Sequence, residues 1–169
     1  MEFRDARVGD AGNLAALTIQ VWLHTYAKLG VRDALSNYVL SEFTSDNFRQ
    51  SLTDERQTFI VCEQGVHLIG YIRLNFAAPC PSDEGLRSEI VTLYVQAHFL
   101  RQGVGTCLLQ RALATFKSRG ADAVWLSVNH ENADAIGFYD KNGFVRDGSV
   151  NFELDGEQHE NFVLRRALE

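Results

Sequence analysis

The chain has 169 residues, of which 46% are hydrophobic and 22% charged, and a formal net charge of −6. That size and composition fit a single soluble domain, 1–169, able to bury about two-thirds of its unfolded surface. The acidic balance argues against nucleic acid as a main partner, since phosphate backbones demand a basic face; no apolar run reaches the ~18 residues of a membrane span, and the charged start Met1-Glu2-Phe3-Arg4-Asp5 lacks a signal-peptide core, which makes the cytoplasm the default location.

In chain order, Glu2 to Arg7 reads as a short strand. Gly9-Asp10 reads as a turn and N-cap ahead of a helix with Leu14, Leu17 and Val21 on one stripe. Trp22 to Val31 reads as a helix end and an aromatic-rich loop. A second helix is expected from Arg32 to about Phe43, and a short third from a Ser45 N-cap. Thr58-Phe59-Ile60-Val61-Cys62 is a strand run, and Gln64-Gly65 turns it into a strand from His67 to about Phe76. Ala77 to Arg87 is a polar loop holding both prolines. The later elements are a strand Glu89 to Val95, a helix Gly103 to Arg119 stopped by Gly120, a buried strand Val124 to Val128, and a short helix from about Asn132 to Asn142. A closing hairpin runs from Phe144 through Asp155-Gly156 to Arg166. In this order the elements predict an α/β fold with one mixed central β-sheet flanked by helices.

The most informative stretch is Leu93-Tyr94-Val95 through Leu100-Arg101-Gln102-Gly103-Val104-Gly105-Thr106. A strand enters a loop, and a helix follows two glycines at once. Free N–H groups and the positive end of the helix dipole suit such a turn to a phosphate. Glycine at 103 and 105 leaves no Cβ in the way of a pyrophosphate. A dinucleotide fingerprint would need a glycine at Leu108, and a Walker loop a lysine after Gly105, where Thr106 stands. His130-Glu131 and His159-Glu160 begin like zinc-protease helices, but the second histidine would fall at Asp134 or Val163, so no metal is expected. Cys62 and Cys107 are expected to be buried and Cys80, between Pro79 and Pro81, exposed.

These residues resemble the GCN5-related N-acetyltransferase superfamily, which transfers acetyl groups from acetyl-CoA to amines. Leu93-Tyr94-Val95…Gly103-Val104-Gly105-Thr106 resembles its pyrophosphate motif. Asn132-x-x-Ala135…Phe138-Tyr139…Gly143-Phe144 resembles its second signature, and Val145 to Arg166 its last two strands. One departure is Leu100, where the family usually carries Gln or Arg three residues before the first motif glycine; Arg101 and Gln102 stand nearer the glycine instead. Within the superfamily, Val21-Trp22…Thr25-Tyr26 is similar to a branch of small bacterial amine and polyamine acetyltransferases. The resemblance implies acetyl-CoA as co-substrate, cofactor contacts from residues 93–95, 100–106, Asn132, Ala135 and Tyr139, and an oxyanion donor in the Val95 N–H.

It also implies the chemistry. An amine must shed a proton, with a pKa near ~10.4, before it attacks a thioester. Glu89, on the motif strand, is the first candidate base; it also fits a solvated strand-start charge, and a water relay is the other route. Tyr139 is the candidate acid for the leaving thiolate. Asn132 can serve as an N-cap, a cofactor contact, or both. The expected acceptor is a polyamine or other small cationic amine, next a peptide N-terminus or lysine. Asp83 and Glu84, with Asp33 and Tyr26, could attract a cation, although solvated loop charges have the same pattern. A non-catalytic CoA-ester-binding regulator is the rival class. A homodimer is a further option, and no membrane partner is expected.

Overall fold

The computed structural model describes residues 1–169. Its strands are β1 (Glu2–Asp5), β2 (Gln57–Gln64), β3 (His67–Asn75), β4 (Glu89–Val95), β5 (Ala123–Asn129), β6 (Val145–Leu154) and β7 (Glu157–Ala167). Its helices are α1 (Ala11–Tyr26), α2 (Asp33–Glu42), α3 (Ser45–Leu52), α4 (Val104–Ser118) and α5 (Ala133–Lys141). The strands form one mixed sheet in the order β1-β2-β3-β4-β5-β7-β6. The chain divides into two compact units, Met1–Leu74 with Thr92–Ala112, and Asn75–Val91 with Leu113–Glu169.

The first unit is built on the apolar stripe of α1. Ala11, Leu14, Ala15 and Leu17 recur at helical spacing and pack with Phe48 of α3, Phe59 and Val61 of β2, and Tyr71 of β3. The Phe59 and Tyr71 rings stack at 6.2 Å, and Phe48 meets both edge-on. β1 runs antiparallel to β2, with Phe3 opposite Cys62. Its Arg4 guanidinium forks onto Asp10 at 2.8 and 3.0 Å and also reaches Glu63.

Local chemistry moves several expected boundaries. Asp10 does not cap α1 with its side chain. Its carboxylate accepts from the Arg7 N–H and from Arg4, and that pairing holds it below the usual carboxylate range. The true cap of α3 is Thr44, not Ser45; its hydroxyl accepts from the Asn47 N–H at 3.1 Å. α1 ends at Tyr26, within the stretch expected to hold the helix end, and Trp22 in its last turns is buried against Tyr26, Tyr38 and Phe43. The β2–β3 turn falls on Gly65 and Val66, with Gly65 at φ +63°.

In the second unit, β4 and β5 are parallel, registered at Glu89 opposite Trp125, and β5–β7–β6 continue antiparallel. Cys80, Leu86, Ala123, Trp125 and Val163 form the core cluster. The 77–87 loop is tied down by its own backbone bonds and by the Trp125 indole, which donates to Ala78 O at 3.0 Å. Cys80 is therefore buried, at 1% exposure, and not exposed as the flanking prolines suggested. Cys107 shows the converse error: it lies on the open side of α4, while Cys62 is buried as expected. The Asp155-Gly156 turn has positive φ at both residues, as a two-residue hairpin requires. No helix is long and apolar enough to cross a membrane.

Candidate functional site

β4 ends at Val95, and a single 3-10 turn spans Ala97–Phe99 before α4 starts at Val104. The chain reverses through two left-handed residues, Arg101 at φ +61° and Gly103 at φ +84°. Glycine suits the second; the first is a side-chain-bearing residue held in a conformation that favours glycine. Gly105 is the second residue of α4, so the turn itself uses only one of the two glycines. The Cys107 N–H donates to Gly103 O at 3.0 Å, closing the first turn of α4. The N–H groups of Val104, Gly105 and Thr106 lie ahead of it, at the positive end of a 15-residue helix. The Gln102 amide donates to His98 O at 2.9 Å, bracing the turn. This donor set fits a pyrophosphate.

The exit of β4 is fixed by residues that sequence reading missed. Gln96 N–H donates to Ile69 O at 2.9 Å, and the Gln96 side chain donates to Gln20 of α1 at 2.5 Å. A Cβ on Gly70 would lie 2.9 Å from Tyr94 O, 3.2 Å from Val95 Cγ2 and 3.4 Å from Val104 Cγ1. Glycine at 70 thus lets β3 lie close to both the end of β4 and the first residue of α4. Next to it, the Tyr71 hydroxyl lies 2.7 Å from Thr18 Oγ1, and its ring meets Tyr94 edge-on at 6.0 Å. Complete burial pushes the Tyr71 phenol up to about 12.

The same unit holds an open groove of about 640 Å³, bordered by Asn13 and Gln20 of α1, the β2–β3 hairpin, Gln96 and Phe99. Its rim mixes carboxamides with apolar side chains such as Leu17 and Ile69. Nothing in the sequence pattern marked it, because it joins segments far apart in the chain.

In the second unit, Glu89 opens β4 and is half-buried. Asn132 is the N-cap of α5, its side-chain oxygen accepting from Ala135 N–H at 3.2 Å. Tyr139 is buried, at 8% exposure, and its ring packs on Phe138 and Phe144 at 5.3 and 5.4 Å. The Tyr139 carbonyl accepts from the N–H groups of Asn142 and Phe144, closing the helix at Gly143. Arg166 donates to Asn142 O at 2.6 Å, a cation at the negative end of α5. Asp83, expected to draw in a cationic acceptor, is instead paired with Arg165 at 3.1 Å. No three His, Cys, Asp or Glu side chains group as a metal site.

An N-acetyltransferase of Mycobacterium tuberculosis, itself uncharacterised, is 29% identical over 160 residues, covering 94% of this chain and 98% of its own. Among solved structures, PaiA N-acetyltransferase from Thermoplasma acidophilum in complex with coenzyme A superposes with a TM-score of 0.79 at 21% identity, covering 98% of each chain. Ribosomal-protein-alanine N-acetyltransferase from Brucella melitensis reaches 0.70 at 20% identity, covering 99% of this chain and 100% of its own. These likenesses show the acyl-CoA N-acyltransferase fold. The model of the acetyltransferase (GNAT) family matches residues 23–144, and the protein is a member of that family.

Proposed function

We propose that the protein is an acetyl-CoA-dependent N-acetyltransferase, one catalytic domain over residues 1–169, moving an acetyl group directly to a primary amine. The observation that supports this most is the β4–α4 turn, whose left-handed residues and helix N-terminus form a phosphate cradle within a GNAT-family chain. The coenzyme A bound to the T. acidophilum relative supports the same ligand.

Acetyl-CoA, when bound, supplies an acetyl group already activated as a thioester. The N–H groups from Arg101 to Thr106 are assigned to its pyrophosphate. Leu93, Tyr94, Val95, Leu100, Asn132, Ala135 and Tyr139 are assigned the remaining cofactor contacts, with the Val95 N–H as oxyanion donor. Glu89 is assigned the proton from the acceptor ammonium, directly or through water. Tyr139 is assigned donation of a proton to the departing sulfur; a thiol near ~8.5 and a phenol near ~10 lie close enough for that exchange. Orientation of the two substrates supplies much of the rate.

The acceptor assigned is a polyamine or other small cationic amine. The support is the net charge of −6, because the Asp83 carboxylate is already neutralised by Arg165. A peptide N-terminus is the second reading, favoured by the likeness to the B. melitensis alanine acetyltransferase over the whole chain. The test is release of free thiol from acetyl-CoA in the presence of spermidine, a peptide with a free N-terminus, a lysine peptide and neutral amino acids. Spermidine should give the highest kcat/KM, and that value should fall as salt rises. Faster turnover of the peptide, or no salt dependence, overturns the polyamine assignment.

A further inference from the structure

β4 is bordered on one side by β3, and backbone atoms key its last peptide units to that neighbour. Tyr94 O lies against Gly70, where an added Cβ would be only 2.9 Å from it, and the Gln96 N–H donates to Ile69 O at 2.9 Å. No peptide bond in the chain is cis. In a planar trans peptide the C=O and the N–H point in opposite directions. The Tyr94–Val95 peptide aims its oxygen at β3, so the Val95 N–H is turned to the opposite side of β4. The Val95–Gln96 peptide aims its N–H at β3, so the Val95 carbonyl faces away as well. Both polar backbone atoms of Val95 therefore point where these two peptide planes send them.

Gln96 is the last extended residue, at φ −57° and ψ 143°, before the single turn of 97–99. A strand end held by main-chain bonds alone is where a sheet opens first. Here a side chain adds a further tie: the Gln96 amide donates to Gln20 Oε1 of α1 at 2.5 Å, across 76 positions of sequence. Gln20 is a firm anchor. Two residues before it, the Thr18 hydroxyl donates to Leu14 O at 2.7 Å and lies 2.7 Å from the Tyr71 hydroxyl of β3. That buried pair fixes α1 over β3, and Gln20 extends the fixed frame to the end of β4. The two glutamines border the open groove, where water competes for their bond, so it adds little to stability and mainly sets direction.

We infer that Gln20 and Gln96 are positioning residues for acetyl transfer, whose bond holds the end of β4 so that the Val95 N–H stays aimed at the thioester oxygen. The inference rests on the acetyltransferase reading and on its oxyanion donor. Such aim counts most as charge gathers on that oxygen in the transition state, so its loss shows in kcat and not in binding.

The carboxamide pair supplies its own controls, because either amide can flip and exchange donor for acceptor. Gln20→Glu keeps the acceptor. In Gln96→Glu, Gln20 turns its NH2 toward the new carboxylate. The double Glu variant sets two acceptors of like charge against each other, and leucine at either position makes no bond.

The test is thiol release from acetyl-CoA with spermidine or a peptide with a free N-terminus, whichever reacts faster, beside amide hydrogen exchange of the ligand-free protein. Gln20→Leu and Gln96→Leu should each lower kcat by about 10-fold, and the double Leu variant by no more than about 2-fold further. KM for the amine and acetyl-CoA affinity by calorimetry should stay within about 2-fold of native. Each single Glu variant should keep kcat within about 3-fold of native, while the double Glu variant falls with the leucines. The Gln96 N–H should exchange about 10-fold faster in the variants that lose rate and at the native rate in those that keep it. Full kcat in the Leu variants, a loss shared by KM or affinity, additive losses, single Glu variants as slow as the leucines, or unchanged exchange overturns the inference. A native protein without amine-dependent turnover overturns the acetyltransferase reading and this inference with it. An active native protein with full-rate Leu variants overturns the inference alone.

Discussion

Gly70 and Tyr94 are in backbone contact: a Cβ on Gly70 would lie 2.9 Å from the Tyr94 carbonyl oxygen. Tyr94 is the penultimate residue of β4, and the same Cβ would press on Val95 at 3.2 Å and touch Val104, where α4 begins, at 3.4 Å. Gly70→Ala should therefore shift the strand end that feeds the phosphate turn. We expect coenzyme A affinity, read by calorimetry, to fall about 10-fold, with a stability loss of about 1–3 kcal/mol from overpacking. Gly137→Ala is the control. No atom lies within 4 Å of its added Cβ and it sits inside α5, so stability should rise by about 0.5–1 kcal/mol.

The Thr18–Tyr71 pair gives a prediction in pH. Burial raises the Tyr71 phenol from 10.0 to about 12, so the folded state favours the neutral form. Its contribution is complete below pH 10 and is lost as pH rises from 10 toward 12, by about 2–3 kcal/mol. Native protein should lose stability to urea steeply over that window. Tyr71→Phe should lose less, and the difference between the two should narrow as pH rises. Thr18→Val should be destabilising at neutral pH, and its effect should shrink in a Tyr71→Phe background. Parallel pH profiles for native and Tyr71→Phe would contradict this.

Much of the fold was legible because it is local. The strand–loop–helix from Glu89 onward, the α5 cap at Asn132 and the Asp155-Gly156 hairpin are written in residues a few positions apart. What escaped depends on contacts between distant residues. Gly70 reads as an ordinary strand glycine until Tyr94 is seen beside it. Asp83 reads as a solvated acid until Arg165 is found 82 residues away. Cys80 looked exposed because prolines flank it, yet the 77–87 loop folds onto Trp125 and buries it. Cys107 looked buried because α4 is apolar, yet it faces away from Leu108, Leu109 and Ala112, which are completely buried. Arg101 gave no sign of its left-handed backbone, which the path of the turn imposes.

The phosphate cradle is tested at the second residue of α4. Gly105→Val adds a branched side chain among the N–H groups assigned to the pyrophosphate. Calorimetry should show coenzyme A binding weakened by about 10-fold or more, with circular dichroism unchanged. Unchanged affinity in the folded variant would remove residues 101–106 from the site.

Glu89→Gln tests the assigned base. The loss of rate should be largest near neutral pH and diminish at alkaline pH, where the acceptor amine deprotonates without help. A pH profile parallel to the native one would exclude Glu89 as the proton acceptor.

The most direct test of the account is single-turnover release of free thiol from acetyl-CoA with a primary amine, comparing native protein with Tyr139→Phe. The account predicts amine-dependent thiol release by the native protein. It also predicts a loss of about 100-fold in the variant, with coenzyme A affinity nearly unchanged, since only the proton donor is removed. Amine-independent or absent thiol release by a native protein that binds coenzyme A would contradict the central claim and leave a CoA-binding protein without transfer chemistry.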